Sequence, residues 1–336
     1  MLPIVEIRRD GDIAVIVVNN PPVNAQNNAV RAGLIDAFRS VKDDATFAGV
    51  VLTCAGRTFI AGSDIAEFGK VAQNPSTTDV IGAIEAVNKP VVAALFGTPM
   101  GGGLELALAC HFRIATKDTR LALPEIKLGM IPGAGGTQRL PRVAGVEVAT
   151  SMILSGDPIT GEKALASGLV DEIYEGDPAA AGVAFVKKAV AAKRPLTLAR
   201  DRNDKIDAFK AGGDFDALVA KSSKRGVGGP HAPTAAVKAL QDALNAPIDE
   251  ALKRERATFF ELAATDEAKS LRHIFFAERD TAKPANVPAD VRPRDIKRAA
   301  ILGAGTMGGG IAMSFANAGI SGHAYRAIGG RAQARH

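Results

Sequence analysis

The fold of this chain is decided by two neighbouring segments, GGGLELALAC at residues 101–110 and PEIKLGMIPGAGGTQRLPR at residues 124–142. In the first, three glycines lead directly into an apolar helix that contains one carboxylate, Glu105. In the second, Glu125 precedes a glycine-rich turn into another helix. Burying a carboxylate is costly unless it is paired or functional, so both are candidate acid/base groups. Each alone also fits a simpler role, a solvent-facing glutamate for Glu105 and a helix-capping glutamate for Glu125.

A third motif, AGSD at residues 61–64, lies upstream between a predicted strand and a predicted helix. Small residues there allow a ligand to approach the backbone closely. Backbone N–H groups at the start of a helix can also bind an oxyanion. Taken alone, such a motif is more often an ordinary turn.

The apolar pattern predicts strands that alternate with helices in the N-terminal half. The predicted strands cover residues 4–8, 12–18, 49–54, 91–95 and 112–115, and predicted helices cover 28–41 and 104–110. This alternation favours an α/β fold with a mostly parallel sheet and helices packed against it. The later chain is nearly all helical, with candidate helices near 178–192, 214–225, 232–244, 247–264 and 266–280.

The composition argues against several function classes. Apolar residues make up 47% and charged residues 23%, which is ordinary for a soluble globular protein. With no Trp, 5% aromatic residues and a net charge of only +5, the chain has neither the basic field nor the stacking rings of a nucleic-acid binder. Cys54 and Cys110 have no metal-ligand spacing, so we expect buried free thiols and no metal site.

Two observations concern membranes and location. Residues 299–320 are uncharged and long enough to span a bilayer, but their glycine spacing fits a strand, a tight turn and a helix better. We therefore expect no membrane span. The N-terminus lacks a basic leader with a long apolar stretch, and the chain ends in ARH, unlike a peroxisomal SKL signal. A cytoplasmic location is the resulting expectation.

Together the three motifs resemble the crotonase (enoyl-CoA hydratase/isomerase) superfamily over nearly all of residues 4–192. The resemblance implies a spiral of ββα turns and an acyl-CoA thioester substrate. It also implies an oxyanion hole formed by two backbone N–H groups, which fall on Ser63 and Gly102, and two catalytic glutamates, Glu105 and Glu125. The family often has Ala at the first oxyanion position. Because that contact is made by the backbone, we expect Ser to be tolerated.

The remaining site residues and the activity also follow from the resemblance. Gly133 corresponds to a backbone position that helps to place the water, and Ala61, Asp64 and Ile65 are candidate substrate-binding residues. The implied reaction is hydration of 2-enoyl-CoA to 3-hydroxyacyl-CoA in fatty-acid β-oxidation, with no cofactor required. Two glutamates favour a hydratase, with isomerisation of 3-enoyl-CoA to 2-enoyl-CoA as a second activity. A thiolase or another β-oxidation enzyme is a candidate partner.

The C-terminal region resembles the continuation of multifunctional fatty-acid oxidation enzymes. Residues 256–283 match the last helices of their hydratase part, after which a 3-hydroxyacyl-CoA dehydrogenase domain begins. Here a GxGxxG motif follows a predicted strand, which is typical of a dinucleotide fold. The residues of this vestigial NAD-binding motif are Gly303, Gly305, Met307 and Gly308.

The dinucleotide site is incomplete in this sequence. A Rossmann fold places an acidic residue after its second strand to hold the ribose, and no Asp or Glu follows Asp295. Residues 321–336 also show no strand-like alternation. We expect a truncated dehydrogenase without activity, so NAD enters only through the resemblance. The alternatives are a genuine but unusual tail for this segment, and, for the whole chain, a non-catalytic CoA-thioester-binding fragment of a decayed multifunctional enzyme.

The predicted organisation therefore has four parts: a hydratase core at 1–192, a C-terminal helical part with a linker helix at 193–283, a proline-rich linker at 284–294, and a truncated NAD-binding start with a divergent tail at 295–336. The predicted fold is a crotonase-like α/β spiral with C-terminal helices, followed by an incomplete Rossmann βα unit.

Overall fold

The computed structural model describes residues 3–68, 74–223, 227–281, 287, 288, 290–292, 294–328 and 331–335. Contacts between residues divide the chain into two units, Met1–Glu278 and Arg279–His336. Residues 284–286, 289 and 293 of the predicted linker at 284–294 lie outside the described residues, as does the end of the helix predicted at 214–225.

Among the described residues up to 281 there are eight strands and twelve α-helices, the last of which extends past the end of the first unit. The strands are β1 (Val5–Asp10), β2 (Ile13–Val18), β3 (Gly49–Cys54), β4 (Val91–Leu95), β5 (Phe112–Ala115), β6 (Arg120–Leu121), β7 (Ile159–Thr160) and β8 (Glu172–Ile173). The helices are α1 (Asn28–Asp43), α2 (Thr77–Glu85), α3 (Gly102–Ala109), α4 (Gly136–Ala144), α5 (Val146–Ser155), α6 (Gly161–Ala166), α7 (Pro178–Ala191), α8 (Asp204–Gly212), α9 (Phe215–Ser222), α10 (Ala232–Asn245), α11 (Ile248–Ala263) and α12 (Asp266–Thr281).

The central sheet has six strands in the order β1-β2-β3-β4-β5-β8. β1 and β2 form an antiparallel hairpin, and the remaining neighbours are parallel. Strands β2 to β5 are buried along their whole length, as expected for a parallel sheet covered on both faces. Alternate residues of β2 enter different cores: Ile16 packs in the larger cluster, and Val15 packs in the smaller one with Val186 of α7. The α/β fold predicted from the sequence is confirmed.

Helix α3 positions the candidate site, and its whole length is buried. It begins at Gly102, two residues before the predicted start. Gly103 lies directly against the backbone carbonyl of Ile60, so that a β-carbon there would overlap the oxygen. Only a glycine permits this approach, which brings the start of α3 against the AGSD segment.

The second unit contains β9 (Arg298–Leu302), α13 (Thr306–Asn317), β10 (Ser321–Ile328) and β11 (Arg331–Arg335). The strand and helix expected around GxGxxG are present. The expectation that no strand follows was wrong: β10 pairs in parallel with β9, and β11 pairs antiparallel with β10. Ladder hydrogen bonds join backbone groups, so an available strand edge can pair with a segment that lacks alternating apolar side chains. No helix in the described ranges has the length and hydropathy needed to cross a membrane.

The contact at Gly103 gives a stability prediction. Gly103→Ala should lower the free energy of unfolding by about 1–3 kcal/mol or more, because the methyl group must displace rigid backbone. Gly82→Ala on α2 is the matched control, since no atom lies within 4 Å of the added β-carbon. It should raise stability by about 0.5–1 kcal/mol. Urea denaturation measures both, and equal midpoints for the two variants would contradict the packing argument.

Candidate functional site

Glu105 is a buried carboxylate on α3, with only 4% of its surface exposed. Its Oε1 accepts hydrogen bonds from the N–H groups of Ala134 (2.8 Å) and Gly136 (2.9 Å). The alternative of a solvent-facing glutamate therefore does not hold. Burial raises the pKa of Glu105, while these two N–H groups and the nearby Arg139 guanidinium act to lower it. The turn thus favours the ionised form of this carboxyl.

Glu125 occupies a different environment in the short 3-10 helix Glu125–Leu128. Its Oε2 is buried and has no hydrogen-bond partner among the described residues. Burial, and next the charge of Glu105, raise the pKa of Glu125 well above its usual range. Two adjacent carboxyls cannot both ionise easily, and the larger upward shift of the pKa of Glu125 favours the proton on that carboxyl. The structure therefore brings the two predicted glutamates together in unlike environments.

Ser63 and Gly102 lie side by side next to these carboxyls. The Ser63 nitrogen is 3.5 Å from the position of a β-carbon built on Gly102. Neither residue's N–H has a hydrogen-bond partner in the described part of the chain. On either side of Ser63, the Gly62 carbonyl accepts from the Gln26 N–H, and the Asp64 N–H donates to the Gln26 carbonyl. A β-carbon built on Gly101 would lie 2.9 Å from Glu125 Oε1. The arrangement presents two adjacent N–H donors beside a carboxyl.

Gly133 begins the turn that binds Glu105. Any side chain at this position would overlap the ring of Phe259 on α11. That ring also packs edge-on against Phe68, with 5.8 Å between centroids. Glycine is therefore required at residue 133 by the aromatic ring above it.

Ala61, Asp64 and Ile65 lie beside Ser63, at the start of the 3-10 helix Ile65–Glu67. Ala61 N–H donates to the Val23 carbonyl (3.2 Å), and Asp64 caps the short helix by accepting from Ala66 N–H (3.0 Å). Both bonds hold the shape of the AGSD segment. The first bond joins the segment to the loop before α1, and the second lies at the start of the short helix.

Glu255 on α11 is a third buried carboxylate that the sequence analysis missed, with 2% of its surface exposed. It accepts from Gly135 N–H (2.5 Å), Thr137 N–H (2.9 Å) and the Thr137 hydroxyl. Hydrogen bonds to charged groups contribute about 1.5–3 kcal/mol each, so three of them partly offset the cost of burial. Burial and the charge of Glu105 nevertheless raise the pKa of Glu255 to about 8.

A sequence signal for Glu255 exists but is weak. One face of α11 carries Ala251, Glu255, Phe259 and Leu262, so the glutamate occupies a position on a small and apolar stripe. Its neighbours Arg254 and Arg256 make the segment look like a solvated charged face.

Gln26 is another buried polar residue near the site that the sequence analysis missed. It is fully buried, and its Oε1 accepts from the Thr77 hydroxyl at 2.9 Å. The same oxygen lies 3.2 Å from the position of a β-carbon built on Gly102. Its Nε2 finds no hydrogen-bond partner within the described ranges. Gln26 therefore lines the region of the two free N–H groups.

The second unit has the turn of a dinucleotide fold without its complete site. Gly303 adopts a positive φ of 115°, and Gly308 packs against the Gly303 carbonyl. Gly305 caps α13, and the Met307 side chain is 78% exposed. The residues that follow β9 include no carboxylate to hold a ribose. These residues therefore do not fit NAD as a complete set. Among the described residues of the chain, no group of three or more His, Cys, Asp or Glu could hold a metal ion.

Comparisons with known proteins agree on one family. A family model described as enoyl-CoA hydratase/isomerase matches residues 8–193. The chain is 38% identical over 318 residues to a peroxisomal bifunctional enzyme of Danio rerio, covering 92% of this chain and 43% of that enzyme. It is 35% identical over 320 residues to a glyoxysomal fatty acid beta-oxidation multifunctional protein of Cucumis sativus, covering 92% and 44%. The chain thus spans less than half the length of these curated relatives.

A solved structure supports the fold. The enoyl-CoA hydratase/isomerase of Pseudoalteromonas atlantica matches with a TM-score of 0.60 and 24% identity, covering 82% of this chain and 97% of that one. At this identity the likeness concerns the fold alone.

The expected cytoplasmic location is wrong by these comparisons, because the similar enzymes are named as peroxisomal and glyoxysomal. A targeting signal is an address read by a receptor, so composition and core packing carry no information about it.

The environment of Glu125 gives a pH-dependent prediction. Folding raises the pKa of this carboxyl, so between the two pKa values the folded state binds more protons than the unfolded state. The free energy of unfolding therefore falls as the pH rises. Glu125→Gln keeps the shape and removes that ionisation. The variant should gain stability relative to the wild type between pH 5 and pH 8, measured by urea denaturation. A stability difference that stays constant or shrinks with rising pH would contradict the assignment.

Proposed function

The chain belongs to the enoyl-CoA hydratase/isomerase family, and we propose that it hydrates 2-enoyl-CoA to 3-hydroxyacyl-CoA in fatty-acid β-oxidation. The observation that carries the proposal is the pair of glutamates, of which Glu105 accepts from two N–H groups and Glu125 has a buried Oε2 without a partner, beside two backbone N–H groups that are unpaired among the described residues. Hydration needs a base, an acid and a polarised carbonyl, and this set of groups can provide all three.

In the proposed mechanism, the thioester carbonyl accepts hydrogen bonds from the N–H groups of Ser63 and Gly102. These donors withdraw electrons from the double bond, which makes C3 electrophilic and stabilises the enolate that forms. Gly102 is the first residue of α3, so the helix dipole adds to the stabilisation. Loss of one donor of this kind typically costs about 10²–10³ in rate.

The two carboxyls would divide the proton transfers. Ionised Glu105 takes a proton from the water, whose oxygen forms the bond to C3, and protonated Glu125 delivers a proton to C2. The difference in their hydrogen bonding supports these roles, because two N–H donors stabilise the anion at Glu105, whereas the unpaired and buried Oε2 of Glu125 favours the acid. Gly133 is proposed to help place the water, and Ala61, Asp64 and Ile65 to contact the substrate.

Isomerisation of 3-enoyl-CoA is proposed as a second activity of the same site. Moving the double bond requires removal of a proton at one carbon and its return at another, for which one carboxyl suffices. Glu125 is the candidate for this transfer. A thiolase or another β-oxidation enzyme is the proposed partner, and the four-part division at residues 192, 283 and 294 is the proposed domain organisation.

A hydration assay tests the leading function against a non-catalytic CoA-thioester binder. Wild-type protein should remove the absorbance of the conjugated thioester of crotonyl-CoA. Glu105→Gln and Glu125→Gln should each reduce the rate by about 10²–10⁴, because each removes one proton transfer. Exposed Glu147→Gln on α5 is the matched control and should retain full activity.

The double variant and the second reaction test the roles. A shared acid/base unit should be strongly non-additive, so the double variant should be little slower than either single one. Glu125→Gln should impair isomerisation more than Glu105→Gln. The reverse order would show that the roles are exchanged, and folded wild-type protein without turnover would favour the non-catalytic alternative.

The second unit is proposed to bind no NAD tightly, since its turn offers part of a pyrophosphate site and no acidic group for the ribose. Calorimetric titration of the full chain with NAD should therefore give no saturable heat. Removal of residues 294–336 should leave hydratase activity unchanged. Saturable NAD binding, or loss of hydration on deletion, would contradict this division of the chain.

A further inference from the structure

Two carboxylates share one turn by taking alternate N–H groups. Ala134 and Gly136 donate to Glu105, whereas Gly135 and Thr137 donate to Glu255. The Thr137 hydroxyl adds a further bond to Glu255. Four successive N–H groups are thus divided between a candidate catalytic carboxylate on α3 and a carboxylate on α11.

We propose that Glu255 is a positioning residue of the hydration reaction, which holds this turn in the conformation that orients Glu105. The inference rests on the proposed hydratase function. Glu255 reaches the turn from α11, and residues 118–120 positions apart in sequence meet there. Helix α11 would therefore be part of the catalytic machinery rather than an outer layer of the fold.

The turn depends on outside partners for its shape. Gly135 has a positive φ of 101°, and any side chain on it would overlap the Arg139 guanidinium. Arg139 itself donates to the Ala134 carbonyl at 3.1 Å. Without Glu255, the N–H groups of Gly135 and Thr137 would be buried and unpaired, which is unfavourable. A change in the turn's conformation that directs them towards other acceptors would lower its free energy.

Helix α11 contacts both ends of this turn. Glu255 and Phe259 are four residues apart and therefore lie on one face of the helix. Glu255 binds the N–H groups near the end of the turn, while the Phe259 ring packs on Gly133 at its beginning. The same helix face thus fixes the turn by hydrogen bonds and by packing.

Glu255 also acts on the site through its charge. The charged and titratable groups that face it are Glu105 on α3, Glu125 before α4, and Arg139 on α4, which is itself paired with Glu85 of α2 at 2.8 Å. The charge of Glu255 contributes to the raised pKa of Glu125. Removing that charge should therefore make Glu125 ionise at lower pH. A purely structural anchor for α11 would not have this effect.

Glu255→Gln tests the inference, with exposed Glu261→Gln on the same helix as the matched control. We expect kcat for crotonyl-CoA hydration to fall about 10–100-fold with little change in KM, as for a lost transition-state contribution. The alkaline limb of the pH–rate profile should move to lower pH. The control should behave like the wild type in both respects. If Glu255→Gln is slower but the alkaline limb of its pH–rate profile stays at the wild-type pH, Glu255 has only a structural role and the inference is wrong.

Two further readouts need no turnover. Carboxyl ¹³C NMR should show Glu125 ionising at lower pH in Glu255→Gln, and hydrogen exchange should be faster at Ala134 and Gly136. If Glu255→Gln does not fold, Thr137→Val removes one bond to Glu255 and should also speed exchange at Gly136, whereas Thr137→Ser should not. If the wild type does not hydrate crotonyl-CoA, the proposed function is wrong, but the effect of Glu255 on the turn and on Glu125 can still be tested. Unchanged titration and exchange in the variants would overturn the role of Glu255.

Discussion

The hydrogen bonds from one glycine-rich turn to the buried carboxylate of Glu105 are the interaction on which the site depends. A carboxylate inside an apolar helix would lose far more from desolvation than an isolated hydrogen bond returns. The N–H groups of Ala134 and Gly136 offset part of that cost without adding a charge. The glycines of the turn are required because its backbone must approach Glu105, Arg139 and Phe259 closely. The turn therefore joins α3, α4 and α11 around a single functional group.

The same turn creates the difference between the two glutamates. It gives donors to Glu105 and none to Glu125, whose Oε2 has no partner among the described residues. Proximity then increases the difference, because the charge on one carboxyl raises the pKa of the other. Two chemically identical side chains thus acquire different proton affinities through burial, hydrogen bonding and each other's charge. This division of roles is the physical basis of the proposed hydration.

The sequence predicted the parts of the structure that depend on local pattern. The stripe Val30, Leu34 and Phe38 marks α1, and the apolar runs mark the central strands, because their periodicity is a direct consequence of which faces are buried. Glu105 and Glu125 were found because glycine-rich motifs surround them. The environment of Glu105 could not be predicted, since it depends on a turn 29–31 residues further along the chain.

Glu255 and Gln26 show why the rest was missed. Glu255 meets its partners across 118–120 residues, and nothing adjacent to it in the sequence distinguishes it from the exposed charges of α11. Gln26 lies in a loop before α1 and becomes a site residue only because α3 packs against the AGSD segment. The strands β10 and β11 were missed for another reason, since β10 pairs along the backbone edge of β9 and β11 pairs along β10.

The central claim is that two adjacent glutamates add one water across a double bond, and because both lie beside the same pair of N–H groups we expect both transfers on one face of the substrate. Hydration of crotonyl-CoA in D₂O, followed by NMR of the 3-hydroxybutyryl product, tests it most directly. The account predicts a single deuterium at C2, on the same face as the new C3 oxygen and in one diastereomer. A mixture of diastereomers, or addition from opposite faces, would contradict it.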